Sequence, residues 1–206
     1  MSNEIMNEIW TIGHSNHCAE KFIELLRQNS ITAIGDVRSH PYSRHNPQFN
    51  RETLRTDLKI HGIAYVFLGD ELGPRSKYPS CYENGRVSYD AIARTADFQN
   101  GLERVKKGME SFRIALMCSE KDPIMCHRMI LVCRHLQSAD IHIRHILEDG
   151  STEEHCDAEK RLMFLLDIRQ ELFDTGPESA VIRAYDMQSG KIAYIPKNTE
   201  ETQEEE

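Results

Sequence analysis

The hydrophobic and polar positions of this chain follow two rhythms in turn. Short apolar runs suited to strands recur between stretches whose apolar residues return every third or fourth position, as on one face of a helix. "EIWTIGH", closed by Gly13, predicts a first strand. "CAEKFIELLRQN" predicts a helix with Phe22, Ile23, Leu25 and Leu26 on its inner face and a cap near Ser15 or Asn16. "ITAIGDV" predicts the second strand. The irregular "RSHPYSRHNPQF" follows, then a helix from an Asn50 cap through Leu54 and Leu58 to a stop at Gly62. "AYVFLG" predicts the third strand and residues 70 to 87 a long loop. Ser88 caps the next helix, which carries Ile92, Ala96, Leu102 and Val105, and "RIALMC" predicts the fourth strand. Asp122 and Pro123 suit the cap and first turn of a helix that continues through Met129, Ile130, Val132, Cys133 and Leu136. "IHIRHIL" predicts the fifth strand. A long amphipathic helix is expected from Thr152 to Asp174, with Leu162, Leu165, Leu166, Ile168 and Leu172 on it. A last hairpin is expected in "VIRAYDMQSGKIAYI", turning at Ser189-Gly190.

Strands that alternate with helices imply right-handed crossovers and a mainly parallel sheet. The expectation is one α/β domain over residues 9–198, with a mainly parallel central sheet and flanking helices in Rossmann-like or rhodanese-like layering. Residues 1–8 are expected to be a flexible lead and residues 199–206 an acidic disordered tail.

Charge sharpens this division. The chain has 206 residues and a net charge of −8. Five of its 33 acidic residues are glutamates between Glu200 and Glu206, which leaves 28 acids against 25 Lys and Arg. A basic island lies elsewhere: from Arg38 to Arg55 the chain holds Arg38, Arg44, Arg51, Arg55, His40 and His45 against a single acid, Glu52. That composition suits either a solvated loop or an anion-binding one. No run approaches the roughly 20 apolar residues of a membrane span, and "MSNEIMNEIW" lacks the basic start and apolar core of a signal peptide. A cytoplasmic chain with no membrane partner is expected, its six cysteines mostly reduced thiols.

In parallel sheets ligands collect beyond the carboxyl ends of the strands. The first strand runs into His14, the second into Asp36 and Arg38, and the fourth into Cys118 and Glu120, with His127 and Arg128 at the start of the next helix. Cys118, at a strand end facing a helix N-terminus with arginines near, is a candidate nucleophile with a lowered thiol pKa. Glu120 or Asp36 would act as acid or base, and His14 or His127 as proton shuttle. Arg38, Arg44, Asn46 and Arg128 would hold an anionic substrate, and Tyr42 could stack on a base. Phe49 suits core packing better. Cys126 could resolve an oxidised Cys118 or pack inward, and Cys133 suits the core. Cys118, Cys126 and His127 are also possible metal ligands, but their spacing departs from the paired cysteines of ordinary zinc folds. A metal on these three residues is therefore the minority reading, the pattern names no cofactor, and nothing in it bears on oligomeric state.

Four ordered motifs carry a resemblance: "TIGHSNH", "DVRSHPYSRHNPQFN", "YVFLGDELGPR" and "CSEKDPIMCHR". With them the chain resembles the bacterial and archaeal family catalogued as domain of unknown function 488, although that family usually has alanine where Ser119 stands here. The resemblance implies that the four motifs form one site. A strand ending in cysteine after "DVR" also looks like the rhodanese and low-molecular phosphatase arrangement, except that Arg128 lies ten residues beyond Cys118 rather than about five or six. The functional expectation is a cysteine-dependent transferase or hydrolase acting on a nucleotide or nucleic-acid phosphate. The alternatives are a non-catalytic nucleotide or nucleic-acid binding module and a thiol or metal redox sensor.

Overall fold

The five apolar runs become the parallel strands of one sheet. A computed structural model describes residues 7–138, 140–169 and 179–196. The parallel strands are β1 (Asn7–Gly13), β2 (Ala33–Asp36), β3 (Ala64–Phe67), β6 (Ile114–Cys118) and β7 (Ile141–Ile146), with a short edge strand β8 (Thr152–Glu154) antiparallel to β7. The order across the sheet is β3-β2-β6-β1-β7-β8. β6 is thus inserted between β1 and β2, and Gly13 lies opposite Cys118. All five residues of β6 are buried, as expected of a strand covered on both faces.

Successive side chains of a strand point to opposite faces, so each strand feeds two cores. On one face Trp10, Ile12, Ile34, Ala115 and Met117 pack against α1 (Ala19–Gln28) and α2 (Arg51–Ile60) through Phe22, Leu25, Leu54 and Leu58. On the other, Ile9, Leu116 and Cys118 pack with Leu102 and Val105, Met129 to Val132, Leu162 and Tyr185. Both α1 and α2 run where the apolar spacing predicts, except that Cys18 caps α1 in place of Ser15 or Asn16.

Several expectations are corrected. The loop over 70 to 87 contains a single-turn helix α3 (Gly69–Leu72), a 3-10 turn at Pro79–Cys81 and a hairpin of β4 (Tyr82–Glu83) and β5 (Arg86–Val87). The helix capped by Ser88 is two helices, α4 (Tyr89–Ala93) and α5 (Ala96–Met109), because Thr95 turns the chain and its hydroxyl accepts from the Phe98 N–H. The helix beyond Asp122 is broken as well. Pro123–Met125 makes one 3-10 turn, Cys126 is extended, and the chain re-enters as a π-helical run Arg128–Cys133 that ends in α6 (Arg134–Leu136). In place of one helix from Thr152, β8 leads into α7 (His155–Leu165), which ends before Asp167 in the left-handed region. The rest of that expected helix, with Leu172, lies outside the described residues. The expected C-terminal hairpin is instead a helix, α8 (Ala180–Ile192), whose buried Ala180, Ala184, Tyr185 and Gln188 share one face. Strand β1 already begins at Asn7, inside the lead expected over 1–8, and the acidic tail also lies outside the described residues.

A polar seam crosses the second core. The fully buried Arg128 guanidinium donates from Nε to Thr11 Oγ1 at 3.3 Å and from its terminal nitrogens to the carbonyls of Glu120 (2.5 Å) and Lys121 (3.0 Å). Thr11 Oγ1 lies 2.8 Å from His145 Nδ1, His145 Nε2 3.0 Å from His155 Nδ1, and His155 Nε2 3.1 Å from the Tyr185 hydroxyl. Tyr185 donates to Glu159 at 2.9 Å.

The loop carried by Arg128 passes directly over the end of β1. A Cβ at Gly13 would stand 1.9 Å from the Glu120 carbonyl oxygen, a backbone atom that Arg128 also holds. Gly13→Ala is therefore expected to destabilise the protein by about 2–4 kcal/mol in chemical denaturation. Gly62→Ala places its Cβ in open space and suffers only from its positive φ, so it serves as the milder control.

Candidate functional site

The carboxyl ends of β1, β2 and β6 open into a cavity of about 390 Å³, the size of small-molecule sites in general. His14, Arg38, Asn46, Cys118, Glu120, Cys126 and His127 line it. The loops beyond β1 and β6 stay paired past the strands, with His14 N–H donating to the Cys118 carbonyl and Ser15 N–H to the Ser119 carbonyl. Ser15 adopts φ 48° to make this turn. His14 and Cys118 are thereby fixed side by side in the backbone.

Cys118 leaves β6 on the face of the broken helix. Its Sγ lies 3.6 Å from His127 Nδ1, and Cys126 Sγ lies 3.8 Å from the same nitrogen. The other ring nitrogen of His127 sits 3.0 Å from the Val37 carbonyl, which can only accept. The proton is therefore on Nε2, and the Nδ1 lone pair faces the two sulfurs. The hydrogen bond from Cys126 is the largest cause holding the Cys118 thiol well below its usual range. Burial opposes it, and the charge of Arg128 assists. Burial and the adjacent Cys118 push Cys126 the other way, so it keeps its proton. Burial raises Cys133, deep in the π-helical run, to about 12.

On the β1–β2 side, Arg38 is locked. Asp36 receives its Nε at 2.9 Å and one Nη at 2.7 Å, the Phe49 carbonyl takes that Nη at 2.9 Å, and the other Nη lies 3.2 Å from His14 Nε2. Tyr65 adds a third side-chain donor to Asp36 at 2.7 Å. Burial alone would weaken the Arg38 cation, but the hydrogen bonds and charge of Asp36 outweigh it. His14 stacks on Phe49 with ring centroids 4.3 Å apart and bonds the Ser15 carbonyl through Nδ1 at 2.8 Å. Burial first and the Arg38 charge second lower its pKa to about 4, so at neutral pH it is an uncharged ring whose Nε2 accepts from Arg38.

The family model described as Domain of unknown function DUF488 matches residues 18–134, more than half of the chain. The chain belongs to the DUF488 family. No curated protein and no solved structure matches it. The match spans the basic segment and the whole stretch from Cys118 to Arg128, while Thr11 and His14 lie ahead of it.

Of the residues singled out in the sequence of this DUF488 protein, His14, Arg38, Asn46, Cys118, Glu120 and His127 come together around the cavity. Asp36 and Arg128 do not reach it. Both are fully buried behind it, one spent on Arg38 and the other on the loop carbonyls and Thr11. Arg44 is exposed on the surface of the basic segment and does not line the cavity. Phe49 packs inside, as expected, while Tyr42 is exposed at the cavity and bonds Glu52. The helix N-terminus expected to face Cys118 is only the 3-10 turn at Pro123–Met125. Sequence reasoning missed Arg75, Tyr89 and Tyr194. Arg75 lines the wall with its guanidinium stacked 4.3 Å from the Tyr194 ring centroid, and Tyr194 follows α8. Arg75 was within view, as the last residue of "YVFLGDELGPR". Tyr194 was hidden by the mistaken hairpin.

The His14 pKa carries a sign for stability. The unfolded chain binds a proton near pH 6.5 and the native state only near 4, so the native state loses stability as pH falls through that window, by at most about 3 kcal/mol. His155, lowered by burial to about 4, acts in the same window. Unfolding free energy measured from pH 7 to 4 should fall steeply, and His14→Gln should flatten part of that slope while leaving the His155 share. An unchanged slope would show that His14 is not held uncharged in the native state.

Proposed function

We propose that this DUF488 protein is an enzyme with a cysteine nucleophile, a transferase or hydrolase acting on a small anionic substrate at the carboxyl rim of the sheet. One observation carries the reading: Cys118 Sγ lies against the lone-pair nitrogen of His127, whose other nitrogen is fixed on the Val37 carbonyl. A nucleophile, a base and an orienting group for that base are the elements of covalent catalysis. In this reading His127 Nδ1 takes the Cys118 proton and later returns it to the leaving group. Glu120, exposed at the mouth, carries protons between site and solvent.

Arg75 and His40 on the cavity wall support an anionic substrate. Arg38 contributes less than its charge suggests. Four of its five N–H groups are committed to Asp36, Phe49 and His14, and the Asp36 carboxylate cancels its charge nearby. The cavity volume favours a small phosphorylated molecule or a single nucleotide over a duplex, and the exposed Tyr42 offers a face for a base.

Iodoacetamide labelling followed by peptide mass mapping tests the nucleophile. Cys118 should label at a rate that is already on its plateau near neutral pH, whereas an ordinary thiol, with a pKa of about 8.5, still gains rate up to pH 9. Cys133 should stay unlabelled until the protein unfolds. A Cys118 that labels no faster than a free thiol would remove the proposal. Inorganic phosphate should protect Cys118 from labelling, and Arg75→Ala should weaken that protection roughly tenfold, as expected for one charge-assisted hydrogen bond. Equal protection in the variant would remove Arg75 from the anion site. Arg38→Ala is the poorer test, because it strands the buried Asp36 and should cost about 3–5 kcal/mol of stability.

A further inference from the structure

The floor of the cavity holds more than a nucleophile and its base. Cys118 Sγ, Cys126 Sγ and His127 Nδ1 all lie within 4.8 Å of one another, and the two sulfur–nitrogen separations are 3.6 and 3.8 Å. In a tetrahedral zinc site with Zn–S of about 2.3 Å and Zn–N of about 2.0–2.1 Å, ligand sulfur and nitrogen stand roughly 3.5 Å apart and two sulfurs roughly 3.8 Å apart. The three donors therefore stand within a few tenths of an ångström of the edges of such a tetrahedron where sulfur meets nitrogen.

Their support is also of the kind a metal site uses. All three residues are buried, on backbone fixed by β6 and by the turn into the π-helical run. The bond from His127 Nε2 to the Val37 carbonyl aims the free nitrogen at the sulfurs, as ligand histidines are commonly aimed. Two sulfurs and one imidazole select a soft or borderline divalent ion over a hard one. All three donors line the cavity, so the fourth position of a tetrahedron would open towards it. Three protein ligands with one open position are the pattern of catalytic rather than structural zinc.

We infer that Cys118, Cys126 and His127 bind one zinc-class divalent ion at the floor of the cavity, with a fourth position open to solvent or substrate. This goes beyond the nucleophile reading and competes with it on the protein. Binding takes the protons from the two thiols and joins both sulfurs to the metal, so a metal-loaded Cys118 has no free thiolate to attack with.

The test uses the full chain, stripped of metal and reduced. Zinc ion titrated against a chromophoric chelator should bind at one equivalent. Cobalt(II) in its place should give the intense visible bands of a tetrahedral site together with a near-ultraviolet thiolate-to-metal band. Cys126→Ala should weaken zinc binding by at least about tenfold and reduce the thiolate band, while Cys133→Ala should change neither. Zinc should also shield Cys118 from iodoacetamide. If Cys126→Ala fails to fold, Cys118→Ser read by the same cobalt bands keeps the test decisive. Failure of zinc to bind at one equivalent, or equal affinity in the cysteine variants, overturns the inference. The two proposals fail separately: labelling of Cys118 in the metal-free protein judges the nucleophile, and the chelator titration judges the metal.

Discussion

The structure depends on a buried cation, Arg128, that forms no ion pair with a carboxylate among the described residues. Arg128 is the largest of the fully buried side chains, and its acceptors are two loop carbonyls and a threonine hydroxyl. Taking a guanidinium out of water costs several kcal/mol unless nearly all its N–H groups are met, so these acceptors must stay in place together. The loop from Ser119 to Asp122 is therefore shaped by a residue that follows it in the chain. Asp122 completes the clamp by accepting from the Ile124 N–H and from both ends of the Arg161 fork.

That clamp sets the site. With the Glu120 carbonyl pulled down onto the end of β1, only glycine fits at position 13, and the His14 backbone can follow Cys118 beyond the sheet. Beyond Asp122 the chain forms no regular helix before Cys126. It makes one 3-10 turn, extends, and re-enters as a π-helical run with Cys126 and His127 facing Cys118. Across the cavity the Arg38–Asp36 pair does the same for His14. Its main effect is to hold the ring in place, while burial first and the Arg38 charge second keep that ring uncharged.

Much of this was legible in the sequence where the cause is local. β6 announces itself because a strand buried on both faces is apolar throughout, and Ser88 and Asp122 mark starts because their side chains accept from the Ala91 and Ile124 N–H groups. The convergence of His14, Cys118 and His127 followed from their placement at strand ends and just beyond the loop that leaves the fourth strand. The errors have a common physical origin. Gly190 and Ser189 resemble a turn, yet Ala180, Ala184 and Tyr185 find an apolar partner that makes a helix the better burial. Arg128 resembles an anion-holding arginine because its acceptors, Thr11 and the Glu120 carbonyl, are invisible to spacing. Asp36 was a candidate acid for the same reason, its partner being two residues away but its burial being set by the sheet.

The seam from Arg128 to Glu159 has a direction. A guanidinium has no lone pair to offer, so Thr11 must accept from it, and among the described residues its hydroxyl hydrogen goes to His145 Nδ1. Burial keeps both imidazoles uncharged, so each takes a hydrogen on one nitrogen and passes one on from the other. The orientation runs through His155 and Tyr185 and stops at the Glu159 carboxylate. Reversing it would leave a hydroxyl hydrogen pointing at an arginine. The seam is therefore a row of aligned dipoles with the Arg128 guanidinium at its head and, at its foot, the Glu159 carboxyl, whose pKa burial raises. Glu159 in α7 is thus joined to Arg128, and through it to the loop beyond Cys118, by five hydrogen bonds that all point the same way.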